Sequence, residues 1–190
     1  FTMCQGPESL ETMRWLAASG VTVVHDPAAI RSCHRTRMLP LLARAGLPRP
    51  EAHLVACADP APEALAWAEK SRQIGVWVKR GDVHATRPED VIHLRGQEAV
   101  RDALARLAAR GVAGAVLEAH VPGRTVKVYG VRGTRFFRSY AEDGSDLGPA
   151  PLAWRQLAER AATALGLVIY GGDLVVGERE EVLLVDVNDW

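Results

Sequence analysis

Asp186-Val187-Asn188, near the end of the chain, closes a run of apolar strand-type residues, Val182-Leu183-Leu184-Val185. Side chains at i and i+2 of a strand share a face, so Asp186 and Asn188 point the same way. Gly171-Gly172-Asp173 lies on the preceding candidate strand, where pairing could bring Asp173 beside them. Two carboxylates and an amide oxygen are hard ligands, suited to Mg²⁺ carrying the phosphates of a nucleotide. An ordinary edge strand with a polar exit turn is the alternative, and these residues alone leave both open.

Phosphates would also need cations. Lysine occurs only at Lys70, Lys79 and Lys127. Lys79 ends the apolar strand Val76-Trp77-Val78, from which an ammonium can reach into a cleft; a snorkelling edge lysine is the plainer reading. Lys127 shares a strand face with Thr125 and Tyr129, which also fits simple solvent-facing alternation. Arg35 and Arg37 open an amphipathic helix whose start could hold an anion, or they form a solvated basic face. His84 and His120 sit beside the two lysines and could contact substrate. His25, His34, His53 and His93 read as surface or structural, and Trp15, Trp67, Trp77 and Trp154 as core or interface packing.

Other site types do not fit. The chain has no G-x-x-x-x-G-K-[ST], no G-x-S-x-G and no G-x-G-x-x-G after its first strand. Its six histidines lack metal-ligand spacing, so zinc is not expected. With 23 basic and 23 acidic residues the net charge is zero, which gives no bulk attraction to nucleic acid or membrane. The three cysteines are widely spaced, with no C-x-x-C, which fits a reducing cytoplasm rather than a disulfide framework. No apolar run approaches the length of a membrane span, and no signal-peptide pattern opens the chain. A start at Phe1 rather than Met, and a stop at Trp190 just past Asp186-Val187-Asn188, suggest a piece of something longer.

Periodicity and punctuation supply the elements that must position these residues. Helices are expected at 7–19, 27–32, 34–45, 61–71, 97–110 and 151–165. Strands are expected at 21–24, 52–57, 75–80, 90–95, 114–120, 125–131, 134–140, 167–176 and 181–187, with Arg132-Gly133 as a hairpin turn. The polar loop 141–149 reads as the most flexible connection. Strands and helices do not alternate strictly in the second half, so the class is α+β rather than a doubly wound parallel sheet.

Taken in order, the segments resemble the ATP-grasp superfamily over roughly residues 20 to 190. His25-Asp26-Pro27-Ala28-Ala29-Ile30 through Arg35, followed by Leu41-Leu42-Ala43-Arg44-Ala45-Gly46-Leu47-Pro48-Arg49-Pro50, looks like that family's opening basic residue and helix. Val76-Trp77-Val78-Lys79 is similar to the strand whose lysine reaches the α/β-phosphates. Val116-Leu117-Glu118-Ala119-His120-Val121 resembles the inter-lobe hinge that reads the adenine edge through its backbone. Lys127-Val128-Tyr129-Gly130-Val131-Arg132-Gly133 resembles the strand that turns a basic residue toward the γ-phosphate. Gly172-Asp173 and Asp186-Val187-Asn188 match the metal-binding pair of strands. Three departures stand out: Arg35 replaces a lysine, Arg80 replaces a proline, and Gly81-Asp82-Val83-His84-Ala85-Thr86 lacks the multi-glycine phosphate loop.

The resemblance implies an α+β ATP-grasp fold in which two α+β lobes clamp ATP. Residues 1–33 would be the remnant of an N-terminal α/β domain, 34–117 the first lobe and 118–190 the second, incomplete at its end. ATP would contact Arg35, Lys79, Glu118, Ala119, His120, Val121 and Lys127. Mg²⁺ would be held by Asp173, Asp186 and Asn188, while Lys127 and Arg138 would act in catalysis. The implied activity is an ATP-dependent carboxylate–amine ligase, similar to glutathione synthetase and ribosomal-protein glutamate ligases, acting on small-molecule or peptide carboxylates and amines. A kinase of a polyol phosphate, as in the inositol polyphosphate kinase branch, is the alternative, and a nucleotide-binding module without catalysis is a third. Relatives of this kind often self-associate, so a homo-oligomer is compatible with the resemblance.

Overall fold

The computed structural model describes residues 5–189. Among these residues six α-helices form where the sequence supplies start and stop chemistry: α1 (Pro7–Ala18), α2 (Pro27–Ser32), α3 (Arg35–Arg44), α4 (Pro62–Lys70), α5 (Gln97–Ala109) and α6 (Leu152–Leu165). Proline occupies the first turn of α1, α2 and α4, where its missing N–H is not needed. The Asp26 carboxylate caps α2 by accepting from the Ala28 N–H at 2.7 Å. α6 ends in a Schellman motif, with Gly166 left-handed at φ 79° and the Leu167 N–H donating to the Ala162 carbonyl at 2.8 Å.

Among the described residues, eight strands make two antiparallel sheets. β1 (Ala52–Ala56), β2 (Val76–Arg80), β3 (Val91–Leu94) and β4 (Gly114–Ala119) form one, in the order β1-β4-β2-β3. β5 (Arg124–Val131), β6 (Phe137–Ala141), β7 (Ile169–Val176) and β8 (Val182–Asp189) form the other, in the order β6-β5-β7-β8. All strand pairs are antiparallel, in keeping with an α+β class.

The chain divides into two compact units. The smaller comprises His34–Thr36 and Pro50–His120, and its core is α4 and α5 against one face of the first sheet. Leu65, Ala68, Val100, Leu104 and Leu107 meet Val55, Val76, Val78, Ala115 and Leu117 there. The larger comprises the described residues through Cys33, Arg37–Arg49 and those from Val121 onward. Its core packs Trp154, Leu157, Ala161 and Leu165 of α6, with Met38 and Leu42 of α3, on Val126, Val128, Tyr170 and Leu174 of the second sheet. Each sheet therefore buries one face under helices and leaves the other for a different use.

Several expectations need correction. Residues 21–24 form no strand; Val21 and Val24 are exposed and no neighbouring strand pairs with them, so β-branching alone does not make a strand. β6 begins at Phe137 rather than 134, because the Thr134 hydroxyl turns back to the Val131 carbonyl and accepts from the Phe136 N–H. Trp15 is 66% exposed and is not a core residue. The loop after β6 is a tied turn: the Asp143 carboxylate accepts from the Ser145 N–H and hydroxyl, and Tyr140 bridges to Asp146. Cys33 and Cys57 are buried free thiols. Among the described residues, no helix is long and apolar enough to cross a membrane.

Candidate functional site

The helix-free face of the second sheet gathers five of the residues singled out by sequence. Val126, Val128 and Leu174 point into the core, so Lys127 and Asp173 project from the opposite face. Register then reads straight across four strands. One row is Tyr140–Lys127–Asp173–Asp186, and the next is Arg138–Tyr129–Gly171–Asn188. The Lys127 ammonium donates to the Asp173 carboxylate at 3.4 Å.

A β-bulge sets β8 in this register. Leu184 and Val187 are both core residues, although their odd spacing would put them on opposite faces of a regular strand. The ladder shifts between Asp173 and Leu174: Leu174 faces Leu184, whereas Asp173 faces Asp186, leaving Val185 as the extra residue. Beyond the shift, Asp186 and Asn188 lie on the same face as Asp173. Gly172 makes this possible, because a Cβ there would stand 2.6 Å from the Asp186 carbonyl oxygen. Asp186 also accepts from the Val187 N–H at 3.1 Å. Among the described residues no group of three His, Cys, Asp or Glu side chains is placed to hold a metal. The available donor set is two opposed carboxylates with an amide in the adjacent row, all hard oxygen donors of the kind Mg²⁺ prefers.

The smaller unit carries the second group. On its helix-free face the rows are Ala52–Glu118–Trp77–His93 and Leu54–Val116–Lys79–Val91. Lys79 and Glu118 form an ion pair with side chains only 5% and 3% exposed. Burying two charges is costly unless they are paired, so each fixes the other. The Trp77 indole N–H donates to His120 Nδ1 at 3.2 Å, which requires that nitrogen to be unprotonated. Burial, with His93 and Arg95 nearby, lowers the His120 pKa and favours this neutral form. The His93 ring lies tilted beside His120, 4.7 Å between centroids and 47° apart. The chain leaves the smaller unit just after His120, within the Glu118–Val121 segment.

Arg35 is buried and donates to the Arg80 carbonyl at 3.1 Å, while the Thr36 N–H and hydroxyl both donate to the Gly81 carbonyl at 3.1 Å. Arg35 is thus not part of a solvated basic face. The loop beyond Gly81 is pinned at both ends. Asp82 accepts from the Arg80 guanidinium at 2.6 and 3.2 Å. Asp90 closes a short 3₁₀ turn (Pro88–Asp90), is fully buried, and accepts from the Thr86 N–H and hydroxyl and the Arg87 N–H. Its other oxygen meets Arg110 at 2.6 Å. Burial alone would raise the Asp90 pKa, but Arg110 and Thr86 hold it well below the usual carboxylate range.

Sequence reasoning passed over Asp90, Tyr140 and the Trp77–His93 contacts. Tyr140 was accessible by alternation from Arg138, two residues earlier on the same strand. Asp90 carried only a weak signal, an acid closing the short turn that Pro88 opens.

Comparison of the sequence with family models and with curated proteins finds no match. Solved structures do match. D-alanine–D-alanine ligase from Coxiella burnetii superposes with a TM-score of 0.79 at 13% identity, covering 97% of this chain and 56% of that one. A RimK domain ATP-grasp protein from Sphaerobacter thermophilus DSM 20745 gives 0.73 at 22% identity, covering 97% and 69%. The chain has the ATP-grasp fold. A D-alanine–D-alanine ligase from Bacillus anthracis, solved in complex with ATP, shares this ATP-grasp architecture with a TM-score of 0.75 at 13% identity, covering 94% and 62%. The chain thus spans little more than half the length of the Coxiella ligase.

Proposed function

We propose that this protein is an ATP-dependent carboxylate–amine ligase. The observation that carries the reading is the row Lys127–Asp173–Asp186, with Asn188 and Arg138 in the adjoining row, on one sheet face of an ATP-grasp fold. The D-alanine–D-alanine ligase names of the Coxiella and Bacillus structures support it. In this reading 34–117 and 118–190 correspond to the two ATP-grasp lobes.

Asp173, Asp186 and Asn188 would hold Mg²⁺, which when bound offsets charge on the phosphate oxygens of ATP. The backbone of Glu118, Ala119, His120 and Val121 would read the adenine edge. Lys79, Arg35 and Lys127 would neutralise the phosphates, with Lys127 favouring the charge that develops on the transferred group. Arg138 would orient the substrate carboxylate as its oxygen attacks the γ-phosphorus and ADP leaves. An amine then attacks the acyl carbon, phosphate leaves, and an amide forms.

The test is to incubate the protein with Mg-ATP and panels of amino acids and short peptides, following ADP, phosphate and coupled products. A ligase releases ADP and phosphate in step with an amide and requires the amine. Phosphorylated acceptor formed without an amine would replace this reading with the kinase. Failure to bind Mg-ATP would remove both.

A further inference from the structure

Two of the chain's three tyrosines, Tyr129 and Tyr140, stand on the open face of the second sheet, whereas Tyr170 is buried in the core. Their rings meet edge-on, 5.8 Å between centroids and 65° apart. Pairing of Lys127 with Tyr140 and of Tyr129 with Arg138 makes a checkerboard, two rings on one diagonal and two cations on the other. Strand spacing makes this patch about 5 Å by 7 Å, the footprint of one carboxylate and the ring attached to it.

Charge divides the face. The β7–β8 half holds Asp173 and Asp186 and repels a carboxylate, while the β5–β6 half attracts one through Lys127 and Arg138. A carboxylate drawn to these cations brings its adjoining group against the two phenol rings. Such rings favour a flat π-system, through offset or edge contacts, over a puckered aliphatic ring of the same size.

We infer that Tyr129 and Tyr140 are specificity-determining residues that select acceptor carboxylates carrying a flat aromatic ring. The inference rests on the carboxylate-activating reading above, and it names the substrate class of that site.

Titration calorimetry of phenylacetate and cyclohexylacetate, each with and without Mg²⁺ and a non-hydrolysable ATP analogue, tests it. Phenylacetate is expected to bind at least about fivefold more tightly. The double variant Tyr129→Leu/Tyr140→Leu should lose that preference with nucleotide affinity unchanged. The double variant Tyr129→Phe/Tyr140→Phe keeps both rings and should retain it, which guards against a leucine variant that fails to fold. Equal binding of the two acids, binding of neither, or loss of preference in the phenylalanine variant would overturn the inference. A tyrosine-dependent preference in a protein that binds no nucleotide would uphold it and remove the ATP-dependent reading instead.

Discussion

Asp173 on β7 stands directly opposite Asp186 on β8, and the ladder slips by one residue immediately beside the pair. Like charges directly opposite across a sheet are destabilising, by up to about 1 kcal/mol. A bound divalent cation would reverse the sign of that contact. Asp186→Asn is therefore expected to raise the melting temperature of the metal-free protein by about 1–3 °C. The same change should weaken Mg-ATP binding about tenfold or more, about 1.4 kcal/mol. Thermal unfolding and calorimetry check the two signs; a drop in both would show that the pair is purely structural.

Gly172→Ala tests the same pair through its backbone. The added methyl would press on the Asp186 carbonyl at 2.6 Å, a main-chain atom that cannot swing away. A loss of about 1–3 kcal/mol in urea unfolding is expected, as for overpacked sites. Mg-ATP affinity should fall with it, because the register that aligns Asp173 with Asp186 is disturbed.

Lys79 and Glu118 call for a different experiment, because both are buried. Lys79→Met leaves the Glu118 carboxylate buried without its ammonium and is expected to cost about 3–5 kcal/mol. Replacing both, as Lys79→Met/Glu118→Leu, should recover much of that loss, since an apolar pair needs no desolvation. A double-mutant cycle from denaturant midpoints measures the coupling. Additive effects would mean that the two charges do not depend on each other.

The positions of the elements were legible because each carries local signals: proline at helix starts, glycine at their ends, alternation around Lys127 and an apolar run before Asp186. Asp186 and Asn188 shared a face on sequence spacing alone. What brings Asp173 opposite Asp186 was not legible, since the shift depends on Val185 being extruded and on Gly172 admitting a backbone oxygen. The Lys79–Glu118 pair was hidden for a related reason. Its members are 39 residues apart and adjoin only through the β2–β4 register. At residues 21–24 the β-branched run misled, because strand formation needs a partner edge that the fold does not supply.

Asp90 offers a pH-dependent check on the loop that follows β2. Its folded pKa lies below the unfolded value of about 3.9, so its stabilisation is complete above that value. As the pH falls toward the folded pKa, the contribution is lost. Asp90→Asn keeps an oxygen for the Thr86 donors but turns an NH2 group toward Arg110 in place of a charged oxygen, and is expected to cost about 3 kcal/mol at pH 7. The gap between variant and wild type should narrow below about pH 4. A gap independent of pH would place the cost in packing rather than in the carboxylate's charge.

Glu180 is the one described non-glycine residue with a positive φ, at 60°, in the turn joining β7 to β8. The turn closes through the Gly177 N–H to the Glu181 carbonyl at 2.9 Å and the Glu180 N–H to the Gly177 carbonyl at 3.1 Å. A left-handed backbone costs an ordinary side chain about 1 kcal/mol or more, and asparagine less. Glu180→Asn is therefore expected to stabilise the protein by about 0.5–1 kcal/mol, seen as a rise of about 1–4 °C in melting temperature. Mg-ATP affinity should stay unchanged, because three strand residues follow Asp173 and four precede Asp186 before the turn, a separation of about 10 Å. If the variant melts lower instead, the Glu180 side chain makes a contribution larger than the strain of its backbone.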